Sequence, residues 1–192
     1  MINVLNALMR SVCSGLAGVA AAYAMAPHDY IFLLFLGLSV FYWIYIHTTR
    51  PIVAFLYGFS FGLGYHVAGL WWVGNALLVP GNQYDWVWPL AVIGLPAALA
   101  FFTGLFACLA KIIFKKPYLE FFGLAAFLTL AEWLRGHIFT GFPWNLYGYG
   151  WIEFLPIMQT VSIIGPFGLT YLTLLWGFAG MHRCEKSGRH GP

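Results

Sequence analysis

An acidic and a basic side chain stand three residues apart near the end of an apolar stretch. Glu132 and Arg135 close the run that begins at Tyr118, and this spacing places both side chains on one face of a helix, where they can pair. Ionisable groups near membrane depth are costly and usually have a function. Two interpretations are open: a structural ion pair that anchors the helix end, or an Arg135 guanidinium that binds a lipid phosphate bidentately.

The segment that follows this pair is too apolar for a loop in water. Aromatic side chains favour the membrane–water interface, and glycines allow a tight turn or a re-entrant path. The segment 136–155 is therefore predicted to form a lipid-handling surface, and the alternative is a loop that only plugs the membrane face. Its candidate binding residues are Gly141, Phe142, Pro143, Trp144 and Tyr149.

Further candidates lie upstream, near the end of another apolar run. Trp72 belongs to the tryptophans expected at the same membrane boundary, and Asn75 is expected to face the same cavity as Arg135. His66 lies deeper in that run. A single histidine in a helix is more often a buried hydrogen-bonding residue than a ligand, so His66 is not assigned to the site.

Membrane helices must position these residues. Of the 192 residues, 61% are hydrophobic and 8% are charged, whereas a soluble domain carries about 25% charged residues. A span needs about 20 apolar residues, so the chain is predicted to be an all-α integral membrane domain of about six transmembrane helices. This domain occupies residues 1–182, and a polar tail follows at 183–192. The predicted helices are 7–26, 30–47, 51–78, 86–113, 118–135 and 156–181.

Basic residues are distributed unequally between the loops of this map. With a cytoplasmic N-terminus, eight of the nine lysines and arginines lie on the cytoplasmic side and only Arg135 lies on the other. The positive-inside rule describes such a bias, so both termini are predicted to be cytoplasmic and segment 136–155 to lie outside. The run 7–26 resembles a signal peptide, but Pro27 would directly follow the cleavage site, so we expect a retained helix. The predicted cytoplasmic set is Arg10, Arg50, Lys111, Lys115, Lys116, Arg183, Lys186 and Arg189.

No pair of a nucleophile and a base stands out in the sequence, and no metal-ligand pattern does. Cys13, Cys108 and Cys184 form neither a CxxC nor a Cys/His metal pattern. There is no HExxH and no glycine-rich phosphate loop, and the run G-F-S-F-G at 58–62 lies inside the third apolar run, where its glycines indicate helix packing. We therefore predict no catalytic residue, no metal site and no cofactor in these residues, and no nucleic-acid partner.

Several segments together resemble a known family. The run E-W-L-R-G at 132–136 is followed closely by T-G-F-P-W at 140–144, and Gly148 and Tyr149 come next. The segments 16–27, 69–77 and 165–170 fit the same pattern, so the resemblance covers about residues 10–182. The sequence resembles the apolipoprotein N-acyltransferases, and the paired motif around Arg135 is the specific part of that resemblance.

The resemblance implies a function for the membrane part only. Members of this family transfer an acyl chain from a phospholipid to the α-amino group of the N-terminal cysteine of diacylated lipoproteins, at the periplasmic face of the bacterial inner membrane. Their chemistry lies in a nitrilase-like domain with a Glu-Lys-Cys triad, and nothing in this sequence matches that triad. We therefore expect a chain truncated before that domain and inactive alone: a frameshift remnant, or a membrane part that works with a separate nitrilase-like chain.

The expected partners are phospholipid, diacylated lipoprotein and the membrane itself. Under the resemblance, Arg135, Glu132, Trp72, Asn75 and the Gly-Phe-Pro-Trp turn with Tyr149 border the lipid or lipoprotein entry site. One alternative is an intramembrane hydrolase that uses Glu132, His66 and His137 with a metal. The other is a non-enzymatic lipid-binding or transport module.

Overall fold

Helices account for all regular structure in the described part of the chain. A computed structural model describes the backbone of residues 4–138 and 141–188 and the side chains as far as 181. The predicted all-α class is confirmed, whereas the motif residues Phe139 and Thr140 and the end of the predicted tail, from 189, lie outside the described residues. The α-helices are α1 (Val4–Ala22), α2 (Ile31–Ile46), α3 (Pro51–Leu70), α4 (Leu95–Ile113), α5 (Pro117–His137), α6 (Leu155–Met158) and α7 (Val161–Gly188).

Proline and extended backbone determine where two of the long helices begin. Pro51 and Pro117 each stand in the first turn of their helix, and the preceding Arg50 and Lys116 are extended. Proline suits this position because the first amide groups of a helix have no intrahelical acceptor. At the opposite end of the bundle, α1 ends at Ala22 rather than at residue 26, and a series of turns leads into α2.

The third and fourth predicted helices are not uniform α-helices. After Leu70 the chain continues as a 3₁₀ helix, Trp71–Leu78, and before α4 it forms a 3₁₀ turn, Asp85–Val87, and a π-helical turn, Leu90–Gly94. A Cβ atom at Gly74 would lie 2.5 Å from a Val92 methyl group. The tighter winding and this glycine thus let the two segments pack closely together.

The sixth predicted helix is divided. Helix α6 ends at Met158, and within α7 the backbone of Gly165 leaves the helical region, with φ 71° and ψ 169°, directly before Pro166. Glycine adopts positive φ without a Cβ penalty, and proline has no amide hydrogen with which to continue a helix. The long uninterrupted part of α7 therefore begins after this break.

Four helical segments of the described chain are long and apolar enough to cross a membrane, namely Val4–Ala22, Pro51–Leu78, Asp85–Ile113 and Val161–Met181. Helix α2 is apolar but shorter. Helix α5 carries Glu120, Glu132 and Arg135. The chain is a multi-pass membrane protein by these segments, and the count of six spans stays a prediction.

Helix α3 lies between α1 and α4, and glycines bring α1 and α3 into backbone contact. A Cβ atom at Gly18 would lie 2.0 Å from the Phe61 carbonyl oxygen, and one at Gly64 would lie 2.0 Å from the Gly15 carbonyl oxygen. Small residues allow membrane helices to approach in this way. The contact fixes the end of α3 relative to α1, which matters for the site below.

The two ends of the bundle differ in charge. The basic end consists of the start of α1, the α2–α3 loop and the α4–α5 connection. Among the described side chains it holds five cations and one carboxylate, a formal balance of plus four. The aromatic end, where α3 gives way to the 3₁₀ helix and α5 ends, holds four carboxylates and one arginine among those side chains, a balance of minus three. The charged residues are Arg10, Arg50, Lys111, Lys115, Lys116 and Glu120 at the basic end, and Asp29, Asp85, Glu132, Arg135 and Glu153 at the aromatic end.

Candidate lipid site at the aromatic end

Arg135 is buried and ties α5 to the segment after it. Its Nε and Nη2 atoms donate to the two carboxylate oxygens of Glu132 at 3.0 and 2.7 Å. Its Nη1 donates to the Phe142 carbonyl oxygen at 3.0 Å, and Nη2 also donates to the Asn145 carbonyl oxygen at 3.3 Å. A planar guanidinium can serve all these acceptors at once because its donors form a fixed fork.

The segment 141–145, called the aromatic turn, is held in place by a backbone hydrogen bond and by a glycine. The Phe142 amide donates back to the Arg135 carbonyl oxygen at 2.8 Å. Gly141 has φ 74°, and a Cβ atom there would lie 2.5 Å from the Gly136 carbonyl oxygen. Only glycine satisfies both the positive φ and this close approach, so Gly141 sets the path of the turn.

Asn145 connects the same turn to α3. Its Nδ2 atom donates to the Gly69 carbonyl oxygen at 3.1 Å, and its own carbonyl oxygen accepts the Tyr65 hydroxyl at 3.0 Å in addition to Arg135. Asn145 has φ 54°, a conformation that asparagine tolerates better than most residues. One residue thus joins α3, α5 and the aromatic turn.

These bonds place Trp144 beside Trp72 at the mouth of a cavity. The two indole rings are 5.8 Å apart, centroid to centroid, and meet edge to face at 75°. The space they border, called the Trp72/Trp144 cavity, has a volume of about 460 Å³. A neighbouring cavity of about 430 Å³ shares Met25, Ala26 and Trp72 with it. The Trp72/Trp144 cavity is lined by Met25, Ala26, Trp72, Trp144, Asn145, Tyr149, Ile152 and Met158.

A smaller cavity of about 220 Å³ lies on the α4 side of the turn. Three predicted site residues line it, Arg135, Gly141 and Phe142, and the rest of its lining is apolar. The turn therefore stands between two apolar spaces. Because the charged pair is buried beneath it, neither space presents a free charge at this point.

Comparison with known proteins decides to which family this arrangement belongs. The sequence model of the family described as "Apolipoprotein N-acyltransferase N-terminal domain" matches residues 17–179. The chain belongs to this family. The Rhodopseudomonas palustris protein named apolipoprotein N-acyltransferase is 41% identical over 171 residues, which cover 86% of this chain and 32% of that protein.

Other relatives agree with this assignment. The apolipoprotein N-acyltransferase of Bradyrhizobium diazoefficiens is 43% identical over 170 residues, and that of Brucella melitensis is 39% identical over 182 residues. The aligned parts are 86% and 90% of this chain, and 32% and 34% of those proteins. The chain thus spans about a third of the length of the curated apolipoprotein N-acyltransferases that it matches.

Most of the predicted site residues lie at the aromatic end of the bundle. Trp72, Trp144 and Tyr149 line one cavity, as Arg135, Gly141 and Phe142 line the other. Glu132 lies buried behind Arg135 as its ion-pair partner. Pro143 is exposed in the turn and lies near Gly136. A Cβ atom added at Gly136 would lie 3.6 Å from the Pro143 Cβ atom.

Asn75 is placed differently from the other predicted site residues, and its expected cavity shared with Arg135 stays a prediction. Asn75 is exposed in the 3₁₀ helix and lines neither cavity that the turn borders. An α-helix continued past Leu70 would have aimed it differently, but the change to three residues per turn rotates every later side chain. Asn145, which the sequence reasoning did not assign to the site, bonds Arg135 through its carbonyl group instead.

The geometry of Arg135 matches the ion-pair interpretation rather than the phosphate interpretation. The residue is 3% exposed and Glu132 is 2% exposed, and four of the five guanidinium N–H donors are already bonded to protein oxygens. A phosphate would have to break these bonds to reach the fork. Arg135 therefore positions the turn, and its donor fork is not free to bind a phosphate in two places.

The hydrolase alternative finds no geometric support. His66 is fully buried and its Nδ1 lies 2.8 Å from the Gly62 carbonyl oxygen. The His137 ring instead stacks on the Trp133 ring, and its Nδ1 lies 2.7 Å from the Trp133 carbonyl oxygen. Among the described side chains, at 4–138 and 141–181, no three His, Cys, Asp or Glu residues are grouped so that they could hold a metal.

The described lining of the Trp72/Trp144 cavity suits a hydrophobic ligand and holds no nucleophile paired with a base. Its lining is apolar or aromatic apart from the Asn145 amide, the composition typical of a site for a hydrophobic ligand. Tyr147, directly behind the turn, is completely buried, and this burial, with the nearby Glu132 carboxylate, raises the pKa of its phenol well above its usual range. The phenol therefore stays neutral and packs rather than acting as a base.

Proposed function

We propose that this chain is the membrane-embedded part of an apolipoprotein N-acyltransferase and that it holds lipid substrates at the periplasmic face of the bacterial inner membrane. The acyl donor is a phospholipid and the acceptor is the N-terminal cysteine amine of a diacylated lipoprotein. The observation that carries the proposal is the Trp72/Trp144 cavity, an apolar space whose rim is fixed by Arg135 and Asn145 in a chain of this family.

The charge difference between the ends supports the orientation. Cytoplasmic loops of membrane proteins carry an excess of lysine and arginine, and the basic end of this bundle has a formal balance of plus four among its described side chains. The cavity lies at the other end. An inner-membrane protein with its basic end in the cytoplasm presents the cavity to periplasmic lipid head groups.

Holding the lipids is a catalytic contribution in itself. Donor and acceptor both carry long apolar chains, so a cavity open to the bilayer brings them together without extracting either from the membrane. Correct placement of two reactants is worth about 7–11 kcal/mol of activation free energy in favourable cases. The acyl transfer itself uses groups outside residues 1–192, on the same polypeptide or on a separate nitrilase-like chain.

Lipid retention tests the cavity. The purified chain in detergent is titrated with dipalmitoyl phosphatidylethanolamine, and bound lipid is counted by native mass spectrometry. Trp144→Ala and Trp72→Ala each remove a wall of the cavity, and we expect each to weaken retention at least about fivefold, the effect of losing about 1 kcal/mol of binding free energy.

A matched tryptophan provides the control for that experiment. Trp43 is 44% exposed and Trp72 is 43% exposed, but Trp43 lies towards the basic end, where it faces the Arg10 guanidinium. Trp43→Ala should retain lipid as the unchanged chain does. An equal loss of lipid retention in Trp43→Ala would show that any exposed tryptophan contributes to lipid binding. It would contradict specific binding in the Trp72/Trp144 cavity.

A transfer assay tests the proposed division of labour. The 192-residue chain is incubated with phosphatidylethanolamine and a diacylated lipopeptide, with and without a nitrilase-like domain of a relative, and N-acylated product is measured. We expect product only when the added domain is present. Product from the chain alone would overturn the assignment of chemistry to other residues, and lipid binding that never supports transfer would favour the lipid-binding or transport alternative.

A further inference from the structure

The basic end contains a polar cavity that the proposed function does not use. It has a volume of about 240 Å³ and lies between the α2–α3 loop and the connection from α4 to α5. Ile46 and Phe114 form its apolar walls. The polar lining of this space, called the Lys115 cavity, is Thr48, Thr49, Lys111, Lys115 and Glu120.

The positive charge of one lysine in this lining is already compensated by a carboxylate. Lys111 is 6% exposed, and its Nζ donates to the Tyr45 carbonyl oxygen at 3.1 Å and to the Glu120 carboxylate. The ammonium also lies 3.8 Å from the centroid of the Tyr45 ring. These contacts hold Lys111 and Glu120 together as a fixed, internally compensated wall.

Lys115 supplies the charge that remains. It is exposed, and its Nζ donates to the Lys111 carbonyl oxygen at 2.9 Å, which uses one of the three donors of an ammonium. Thr48 Oγ1 accepts the Arg50 amide at 3.3 Å, so its hydroxyl hydrogen can still be donated. The lining therefore offers one net positive charge and several hydrogen-bond donors in one small space.

Exposed apolar and basic side chains surround the cavity, and a lipid head group with its acyl chains needs both kinds of neighbour. Ile112 and Ile113, next to Lys111 on α4, are about half exposed, so apolar surface that acyl chains can cover lies immediately beside the polar space. Arg50 and Lys116 are exposed next to the lining residues Thr49 and Lys115 in the chain. Basic pockets between membrane helices on the cytoplasmic side are suited to anionic head groups.

We propose that the Lys115 cavity binds the phosphodiester of an anionic phospholipid whose acyl chains lie against Ile112 and Ile113. The single uncompensated charge matches the single negative charge of a phosphodiester such as that of phosphatidylglycerol. The Thr48 and Thr49 hydroxyl groups and Lys115 donate to its oxygens. This site lies at the opposite end of the bundle from the Trp72/Trp144 cavity and is independent of the proposed function.

The affinity of the full chain for dioleoyl phosphatidylglycerol, measured by native mass spectrometry in detergent, tests the proposal. Loss of a charge-assisted hydrogen bond should weaken binding at least about tenfold in Lys115→Gln. Lys116→Gln is the matched control because it removes the same charge one residue away without belonging to the lining, and general attraction alone predicts about a fivefold loss. Equal losses in the two variants would overturn the proposal.

Additional variants and ligands test whether the hydroxyl groups, the lipid charge and the lipid chains each contribute to binding. Thr49→Val keeps the charge and should still weaken phosphatidylglycerol binding several-fold, whereas Thr129→Val, on a hydroxyl that only bonds its own helix at the Ala125 carbonyl oxygen, should not. Dioleoyl phosphatidylcholine should bind more weakly than phosphatidylglycerol. Displacement of the lipid by inorganic phosphate alone would assign the site to free phosphate and overturn the lipid proposal.

The same titration distinguishes this site from the one at the aromatic end. Trp144→Ala should leave phosphatidylglycerol binding at the Lys115 cavity unchanged, and Lys115→Gln should leave phosphatidylethanolamine retention unchanged. If Trp144→Ala abolished phosphatidylglycerol binding while Lys115→Gln did not, the anionic lipid would belong to the aromatic end and the Lys115 cavity would not be its site.

Discussion

Replacing Arg135 by alanine removes four hydrogen bonds and leaves a buried carboxylate without its partner. The lost bonds, between 2.7 and 3.3 Å long, serve Glu132, Phe142 and Asn145. Because Glu132 is almost completely buried, water cannot replace the guanidinium. Removal of one member of a buried ion pair costs about 3–5 kcal/mol, and we expect Arg135→Ala to lower the free energy of unfolding by that amount.

A double-mutant cycle separates the ion pair from the bonds to the turn. Glu132→Ala combined with Arg135→Ala eliminates the unpaired charge, so the double variant should lose less stability than the sum of the single variants, by about 0.5–3 kcal/mol. It should remain less stable than the unchanged chain, because the Phe142 and Asn145 carbonyl groups still lack the donor they have now.

Equilibrium unfolding in mixed micelles, followed by far-UV circular dichroism, measures these differences. Arg50→Ala is the control, since this exposed arginine bonds no buried carboxylate among the described residues and its replacement should change stability by about 0.5 kcal/mol or less. Two results would refute the reasoning: a cost for Arg135→Ala no larger than for Arg50→Ala, or single-variant costs that simply add.

Three further predictions follow from the packing and the topology. Gly18→Ala should cost about 1–3 kcal/mol, since the new Cβ would meet a carbonyl oxygen at 2.0 Å, whereas Gly15→Ala, with its nearest atom at 3.5 Å, should be nearly neutral in the same unfolding assay. Asn145→Gly should lose one hydrogen bond, about 1 kcal/mol, whereas Asn145→Leu should cost about 1–2 kcal/mol more because leucine disfavours positive φ. In a cysteine-free background, a membrane-impermeant maleimide should label Glu153→Cys from the periplasm and Lys116→Cys only after permeabilisation, and the reverse pattern would contradict the orientation.

The sequence was sufficient for the class of fold and for most residues at the aromatic end. Low charge and long apolar runs predict membrane helices, and the start predicted at residue 51 coincides with the first residue of α3. The motif around Arg135 identified both the buried ion pair and the turn. These features are local in sequence, so composition and spacing can reveal them.

Features that depend on distant parts of the chain were not predictable in this way. The change from α to 3₁₀ winding at Trp71 occurs within an apolar run whose composition does not change, so the sequence does not reveal the direction in which Asn75 points. The role of Asn145 depends on the Gly69 carbonyl group, 76 residues away in sequence. Likewise, nothing in the pattern of basic residues indicates that Lys111 forms an ion pair with Glu120 while Lys115 has no carboxylate partner among the described residues.

The attachment of the aromatic turn has a consequence for how a ligand would come and go. Arg135 holds the turn to α5 and Asn145 holds it to α3, so this part of the chain cannot swing away as a hinged cover without breaking a buried charge network. A ligand of the proposed kind would then enter and leave sideways, past the exposed indole rings of Trp72 and Trp144. Exposed side chains change rotamer within picoseconds to nanoseconds, whereas lids open in microseconds to milliseconds. Under the proposed function, two side chains rather than the backbone would gate the cavity.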